Sequence, residues 1–251
     1  MAFIEGDDSF EGSVIQLELE IESRFNKLAE LNQAFRYLIP EPQWQSLINE
    51  YEALMSHWRD DSAISNFEFH NYFIDIIIKL LPQLSDPVVD YTLGNTSSIA
   101  INKQKLLSEM TFQSIPSFIE ILAKIRGLVT HASVTGSSDQ QIRSRINYLL
   151  QSMAHYKEQI RITLTGIQND KNYVTPRLFD PIIHEHKISQ LNELISSEIM
   201  NKDSITTESH LIFDFVTNII NVYLSMIDLG ISLLQSSVDS VFAHNHSASN
   251  L

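Results

Sequence analysis

The apolar residues of this 251-residue chain recur every three or four positions in one segment after another. This spacing places apolar side chains on one face of an α-helix. No segment alternates polar and apolar residues for long enough to predict a strand. The chain holds only 7 glycines and 7 prolines, which argues against an all-β fold or a chain rich in loops. The predicted fold class is therefore all-α, and the 43% of hydrophobic residues is enough for a sizeable core.

The pattern predicts seven helices separated by short breaks. Their approximate bounds are residues 9–38, 43–59, 66–84, 97–136, 140–168, 182–200 and 207–242. A loop is predicted over Ser85–Thr96, because this segment contains Pro87 and the pair Gly94-Asn95. A second loop is predicted over Asn169–Pro181. Proline is tolerated at the first turn of a helix, so Pro116 predicts at most a kink in the long fourth helix.

A weak internal repetition suggests how these helices are arranged. The apolar pattern from Phe69 to Leu84 recurs from Ile212 to Ile227. We therefore expect two stacked antiparallel helical bundles that share a long central helix. The first module would cover residues 1–113 and the second residues 114–251.

Charge and cysteine content exclude several classes of function. The formal net charge is −14, with 31 acidic against 17 basic residues, so nucleic acid and anionic lipid are disfavoured as partners. The chain has no cysteine, which excludes disulfides and thiolate chemistry. Residues 211–234 are long and apolar enough to span a bilayer. Because this stretch contains Asp214, Asn218, Asn221 and Asp228, we interpret it as a buried amphipathic helix instead.

Patterns typical of catalysis or of metal and cofactor binding are lacking. The sequence has no His-Glu-x-x-His helix, glycine-rich phosphate loop or nucleophile elbow. His184 and His186, like His244 and His246, are two residues apart, and this spacing points them to different sides of a helix. We therefore expect neither enzymatic activity nor a cofactor or metal.

The central stretch, residues 115–136, carries the best candidate for a ligand site. Arg126 is followed one turn later by Thr130, with His131 beside it, and Arg143 follows after the Gly136 turn. An arginine fork near hydroxyl groups can bind a small anion. The predicted ligand-binding residues are Arg126, Thr130, His131 and Arg143. Alternatively, Arg126 pairs with a carboxylate such as Glu120 or Asp139 and binds nothing.

Several short motifs give the chain a resemblance to a known class of domain. They are the opening Phe3–Phe10 segment before a long helix, Trp44 with Trp58, Phe69-His70, Pro116 with Arg126-Gly127, and Phe213 with Thr217. In this order they resemble the all-helical extracytoplasmic sensor domains of bacterial transmembrane receptors, of the NIT-type and helical bimodular kinds. Those domains occur on chemoreceptors, histidine kinases and diguanylate cyclases.

The resemblance implies a ligand-sensing domain in the periplasm, attached to an inner-membrane receptor and dimeric with a second copy. Its partner would be a small molecule or a periplasmic binding protein. In NIT-type domains an Arg-Gly pair at a helix end lies near the ligand site, and Arg126-Gly127 matches it. The glutamate that usually precedes this arginine is replaced by Ile125, so the resemblance does not name the ligand. The alternative is a helical adaptor or scaffold that binds another protein.

Overall fold

The computed structural model describes residues 11–35, 38–58, 62–93, 98–168, 181–202 and 204–248. Within these ranges every regular element is a helix, which confirms the predicted all-α class. The α-helices are α1 (Glu11–Ala34), α2 (Glu41–His57), α3 (Ala63–Leu93), α4 (Ser98–Glu109), α5 (Ile115–Val134), α6 (Gln140–Gln168), α7 (Pro181–Ile195) and α8 (Ser209–Ala248). Two π-helical turns, Met110–Ser114 and Ser196–Met200, follow α4 and α7 without a break.

The sequence located α6 to the residue, because local signals mark its start. Asp139 Oδ1 accepts a hydrogen bond from Ile142 N at 2.7 Å, which caps the helix, and Gly136 adopts a positive φ of 69° in the turn before it. The predicted end of α8 at Phe242 was too early, since the helix continues to Ala248.

The prediction of a loop over Ser85–Thr96 was wrong for Ser85–Leu93, which are helical. Helix α3 continues to Leu93 with Pro82 and Pro87 inside it, and residues 94–97 lie outside the described ranges. Each proline removes one backbone donor, which leaves the carbonyls of Ile78 and Gln83 without their usual helical partner. The Ser85 hydroxyl donates to Pro82 O at 2.8 Å, which adds a bond within the helix between the two prolines. Leu80 is also buried in an apolar cluster, so tertiary packing overrides the local preference.

The predicted continuity from α4 into α5 is confirmed, with a π-helical turn just before Pro116. Ile115 N donates to Met110 O, which is a bond between residues five apart. Pro116 then occupies the first turn of α5, where its missing N–H costs little. The widened turn therefore joins the two helices without a loop.

Helix α5 is the centre of the molecule. It packs against α3, α6 and α8, and Phe118, Leu122 and Ile125 have no exposed surface. Helices α5 and α8 run antiparallel, because Phe118 contacts Tyr223 with ring centroids 4.7 Å apart while Arg126 bonds Thr217 further back along α8. A helix enclosed on most sides is expected to be apolar nearly all round. Buried polar residues on α5 therefore need a physical reason.

Helix α8 is the one described helix long and apolar enough to cross a membrane by length and composition. Its apolar side chains Ile212, Val216 and Ile219 are buried in the protein. The polar residues Asp214, Asn218, Asn221 and Asp228 lie on its exposed face. Three apolar side chains of α8, Leu211, Leu224 and Ile231, are also 41–55% exposed, so the division between the two faces is incomplete. The interpretation of α8 as a buried amphipathic helix stays a prediction.

A second, smaller apolar cluster lies between α1, α2 and α3. It contains Trp44, Leu47 and Phe73, and Phe25 of α1 stacks on Tyr51 with centroids 3.9 Å apart. The larger cluster extends from α4 to α8 and includes Leu107 and Met110. The boundary between modules at residues 113 and 114 stays a prediction.

Candidate functional site

Arg126 lies between α5 and α8 with its guanidinium group mostly removed from water. Its Nη1 donates to Thr217 Oγ1 at 2.8 Å, and its Cζ lies 4.4 Å from the centroid of the Phe213 ring. The Thr217 hydroxyl donates in turn to Phe213 O at 2.7 Å, so its oxygen is oriented to accept from the arginine. Burial lowers the pKa of Arg126, but an arginine stays protonated in proteins. A fixed positive charge is therefore held at this interface.

The two carboxylates considered as partners of Arg126 are engaged elsewhere. Asp139 caps α6, and Glu120 lies against Lys124, with Oε1 and Nζ 3.2 Å apart. Within the described part of the chain no carboxylate comes into ion-pairing distance of Arg126. The guanidinium group is thus fixed by a hydroxyl group and an aromatic ring, and not by an opposite charge.

Glu120 and Lys124 form a second charged group on α5, on the side that faces α3. Lys124 Nζ donates to Asp75 Oδ1 at 3.1 Å and lies 3.2 Å from Glu120 Oε1, although it is not directed at Oε1 as a hydrogen bond. Burial, offset in part by Lys124, raises the pKa of Glu120 to about 7. Burial lowers the pKa of Lys124, but the charges of Glu120 and Asp75 outweigh it, and the net shift is upward.

Thr130 and His131 are both inside the protein. Thr130 is 3% exposed, and its Oγ1 has no hydrogen-bond partner among the described residues. It lies one turn after Arg126 on the same face of α5, as predicted. His131 is 8% exposed and lies on the neighbouring face, in line with Lys124. The structure thus brings Arg126 and Thr130 to one side of the central helix.

Arg143 links the turn between α5 and α6 to the segment that follows α7. Its Nε donates to Ser138 O and Oγ at 3.1 and 2.8 Å, and its Nη1 and Nη2 donate to Met200 O and Lys202 O at 3.4 and 2.7 Å. These bonds tie the α5–α6 turn to the segment after α7 and satisfy carbonyls at a helix end. Its place in a ligand site stays a prediction. Arg145, on the same helix, pairs with Glu68 of α3 at 2.6 Å.

Sequence reasoning did not anticipate Glu120, Lys124 and Asp75 as a cluster. The available signal was the spacing of Glu120 and Lys124, which are four residues apart in an otherwise apolar helix. Nothing in the sequence pointed to Asp75, because its contact with Lys124 joins two different helices and does not follow from local spacing.

Elsewhere in the described residues, histidine and acidic side chains do not cluster as metal ligands, since no group of three or more that could hold a metal ion occurs among them. An open surface depression is lined only by α1, at Leu19, Glu22, Ser23, Arg24, Asn26, Lys27 and Glu30. Because one helix forms all of it, this depression does not include the predicted site residues.

Comparisons of the chain with models of protein families, with curated proteins and with solved structures found no match in any of the three.

Proposed function

We propose that this chain is the ligand-sensing extracytoplasmic domain of a bacterial signal-transduction receptor, and that it binds a small anionic ligand at Arg126. The observation that supports the proposal is the guanidinium group of Arg126. It is fixed by Thr217 and Phe213, and no described carboxylate neutralises it. Charge-assisted hydrogen bonds to an anion are strong where water is partly excluded. Thr130, with its buried hydroxyl unpaired among the described residues, would supply a further donor.

The wider architecture follows from the same proposal. The cluster of α1, α2 and α3 and the larger cluster around α5 would be two stacked antiparallel bundles. The domain would lie in the periplasm, and its terminal helices would pass the signal towards an inner-membrane receptor. It would act as a homodimer and bind its ligand directly or through a periplasmic binding protein. The receptor would be a chemoreceptor, a histidine kinase or a diguanylate cyclase.

A ligand bound at Arg126 would act on the contact between α5 and α8. Arg126 belongs to the central helix and its two partners belong to α8, so an anion drawn to the guanidinium group changes the contact between these helices. A ligand shifts a conformational equilibrium only by its differential affinity for the two states. Because the contacts of Arg126 join the two helices, a ligand that competes for them would bind one arrangement of α5 and α8 more tightly than another.

The test is a thermal-shift screen of acetate, nitrate, succinate and the amino acids, followed by calorimetry. A ligand that binds only the folded state raises the melting temperature. Arg126→Ala is expected to weaken binding by one to two decades, from the roughly 1.5–3 kcal/mol of a hydrogen bond to a charged group. Arg161→Ala is the matched control, because it removes the same charge from the exposed face of α6. Unchanged affinity in a folded Arg126→Ala variant would place the site elsewhere.

An adaptor that binds another protein is the second candidate. Helix α1 favours it, because Ile15, Leu17, Leu19 and Ile21 are 43–59% exposed along its first half. Ile15 lies one turn from Leu19, and Leu17 lies one turn from Ile21, so the four side chains form two exposed apolar pairs on different sides of α1. Exposed apolar side chains of this kind can mark interaction sites. The screen separates the two candidates, since an adaptor predicts no shift with any small molecule.

A further inference from the structure

Glu120 is a buried carboxyl group on the same helix as Arg126, six residues before it in the chain. That spacing corresponds to about 9 Å of helical rise. Glu120 is 5% exposed, and its Oε1 has one neighbouring cation, Lys124 Nζ at 3.2 Å, which is not aligned with it as a hydrogen bond. A buried carboxylate without its full set of bonds is costly, and the cost is relieved when the group takes up a proton.

The charged groups around Glu120 can be taken helix by helix. On α5 these are Lys124, at 3.2 Å, and Arg126, whose field also favours the ionised carboxylate. On α3 the group is Asp75, which opposes ionisation. The π-helical turn Met110–Ser114, which also packs on α5, carries no ionisable side chain.

The charged residues of the other two packed helices point elsewhere. On α6, Arg143 is bonded to backbone carbonyls and Arg145 to Glu68. On α8, Asp214 and Asp228 are exposed. Arg126 is therefore the one cation acting on Glu120 from the described residues that is not itself paired with a carboxylate there.

We propose that an anion bound at Arg126 and a proton bound at Glu120 favour each other, so that the site responds to anion concentration and pH together. This inference rests on the proposed function, because it requires an anion at Arg126. The reason is electrostatic: a bound anion offsets the field of Arg126, which is the weaker of the two cations that favour the ionised form of Glu120, after Lys124. Binding two ligands at coupled sites is reciprocal, so a proton at Glu120 strengthens anion binding by the same factor.

The direction of the pH effect follows from the pKa of Glu120, which is about 7 without an anion. Anion binding raises this pKa further, so the complex takes up a fraction of a proton near neutral pH. Affinity is then higher at pH 6 than at pH 8, by about threefold for a coupling of about fivefold, which is the low end of typical couplings. Acetate and nitrate are suitable probes, because neither titrates in this range.

Calorimetry of the whole chain with acetate and with nitrate tests the inference. Titrations at pH 7 in two buffers of different ionisation enthalpy count the protons taken up, and titrations at pH 6 and pH 8 give the affinity ratio. Proton uptake together with tighter binding at pH 6 is the expected result. Binding of either anion with equal affinity at both pH values and no proton uptake would overturn the inference and leave the proposed function intact. If neither anion binds at all, both fail for these anions.

Glu120→Gln assigns the proton to this residue. The variant keeps the shape of the side chain and carries no charge, so it should bind the anion with an affinity that no longer depends on pH. Proton uptake that persists in a folded Glu120→Gln protein would place the proton on another group, such as His131, and would contradict the assignment. Because the wild-type titrations already decide whether coupling exists, the inference stays testable if the variant does not fold.

Discussion

Gly230 of α8 lies directly against the side chain of Thr111, in the π-helical turn between α4 and α5. A Cβ built at Gly230 would lie 3.1 Å from Thr111 Cβ and would overlap the Thr111 hydroxyl group. Thr111 has no exposed surface and its Oγ1 has no hydrogen-bond partner among the described residues. The close approach of α8 to this turn therefore depends on the absence of a side chain at position 230.

Gly230→Ala is expected to destabilise the protein by about 2 kcal/mol, because overpacking here outweighs the better helix propensity of alanine. Gly12→Ala is the matched control, since a Cβ at Gly12 meets nothing within 4 Å. It should stabilise the protein by up to about 1 kcal/mol. Urea unfolding of both variants measures the difference. Equal effects of the two substitutions would show that the crossing has room for a methyl group.

Glu120 is expected to make the stability of the protein depend on pH. Its pKa is about 7 in the folded state and 4.5 as the reference value, so the folded state binds the proton more tightly. Stability from this group is fully present below about pH 4.5 and is lost as pH rises through 7, by about 3 kcal/mol in all. Urea unfolding between pH 5 and pH 8 measures the loss. In Glu120→Gln the free energy of unfolding should lose this part of its dependence on pH. A variant whose stability depends on pH as strongly as that of the wild type would contradict the assignment.

Arg143→Ala is expected to destabilise the protein by about 2–4 kcal/mol. The substitution leaves the carbonyls of Met200 and Lys202 without their charged donor and separates the α5–α6 turn from the segment after α7. Lysine has a single point of charge and should restore only part of the loss in Arg143→Lys. Arg161→Ala, on the exposed face of the same helix, should unfold like the wild type. If Arg143→Ala unfolds like the wild type without ligand and is less stable than the wild type only when ligand is present, Arg143 would instead have a direct role in binding.

The sequence by itself determined the fold class and placed most helix bounds to within about four residues, although α1 ends at Ala34 and not at Leu38. The apolar spacing is a local property, because residues three and four apart share a helix face whatever packs against them. For the same reason α6 was placed to the residue, with Asp139 and Gly136 marking its start. Arg126 and Thr130 were likewise placed correctly on one face of α5, since that relationship depends only on helix geometry.

The tertiary structure decided everything that depends on contacts between helices. Packing carried α3 through Pro82 and Pro87, against their local preference to end a helix. It placed Thr217 and Phe213 on Arg126, and Asp75 on Lys124, although each pair is far apart in sequence. Burial of Glu120 also set its affinity for a proton, because the cost of a charge depends on the surroundings that remove it from water.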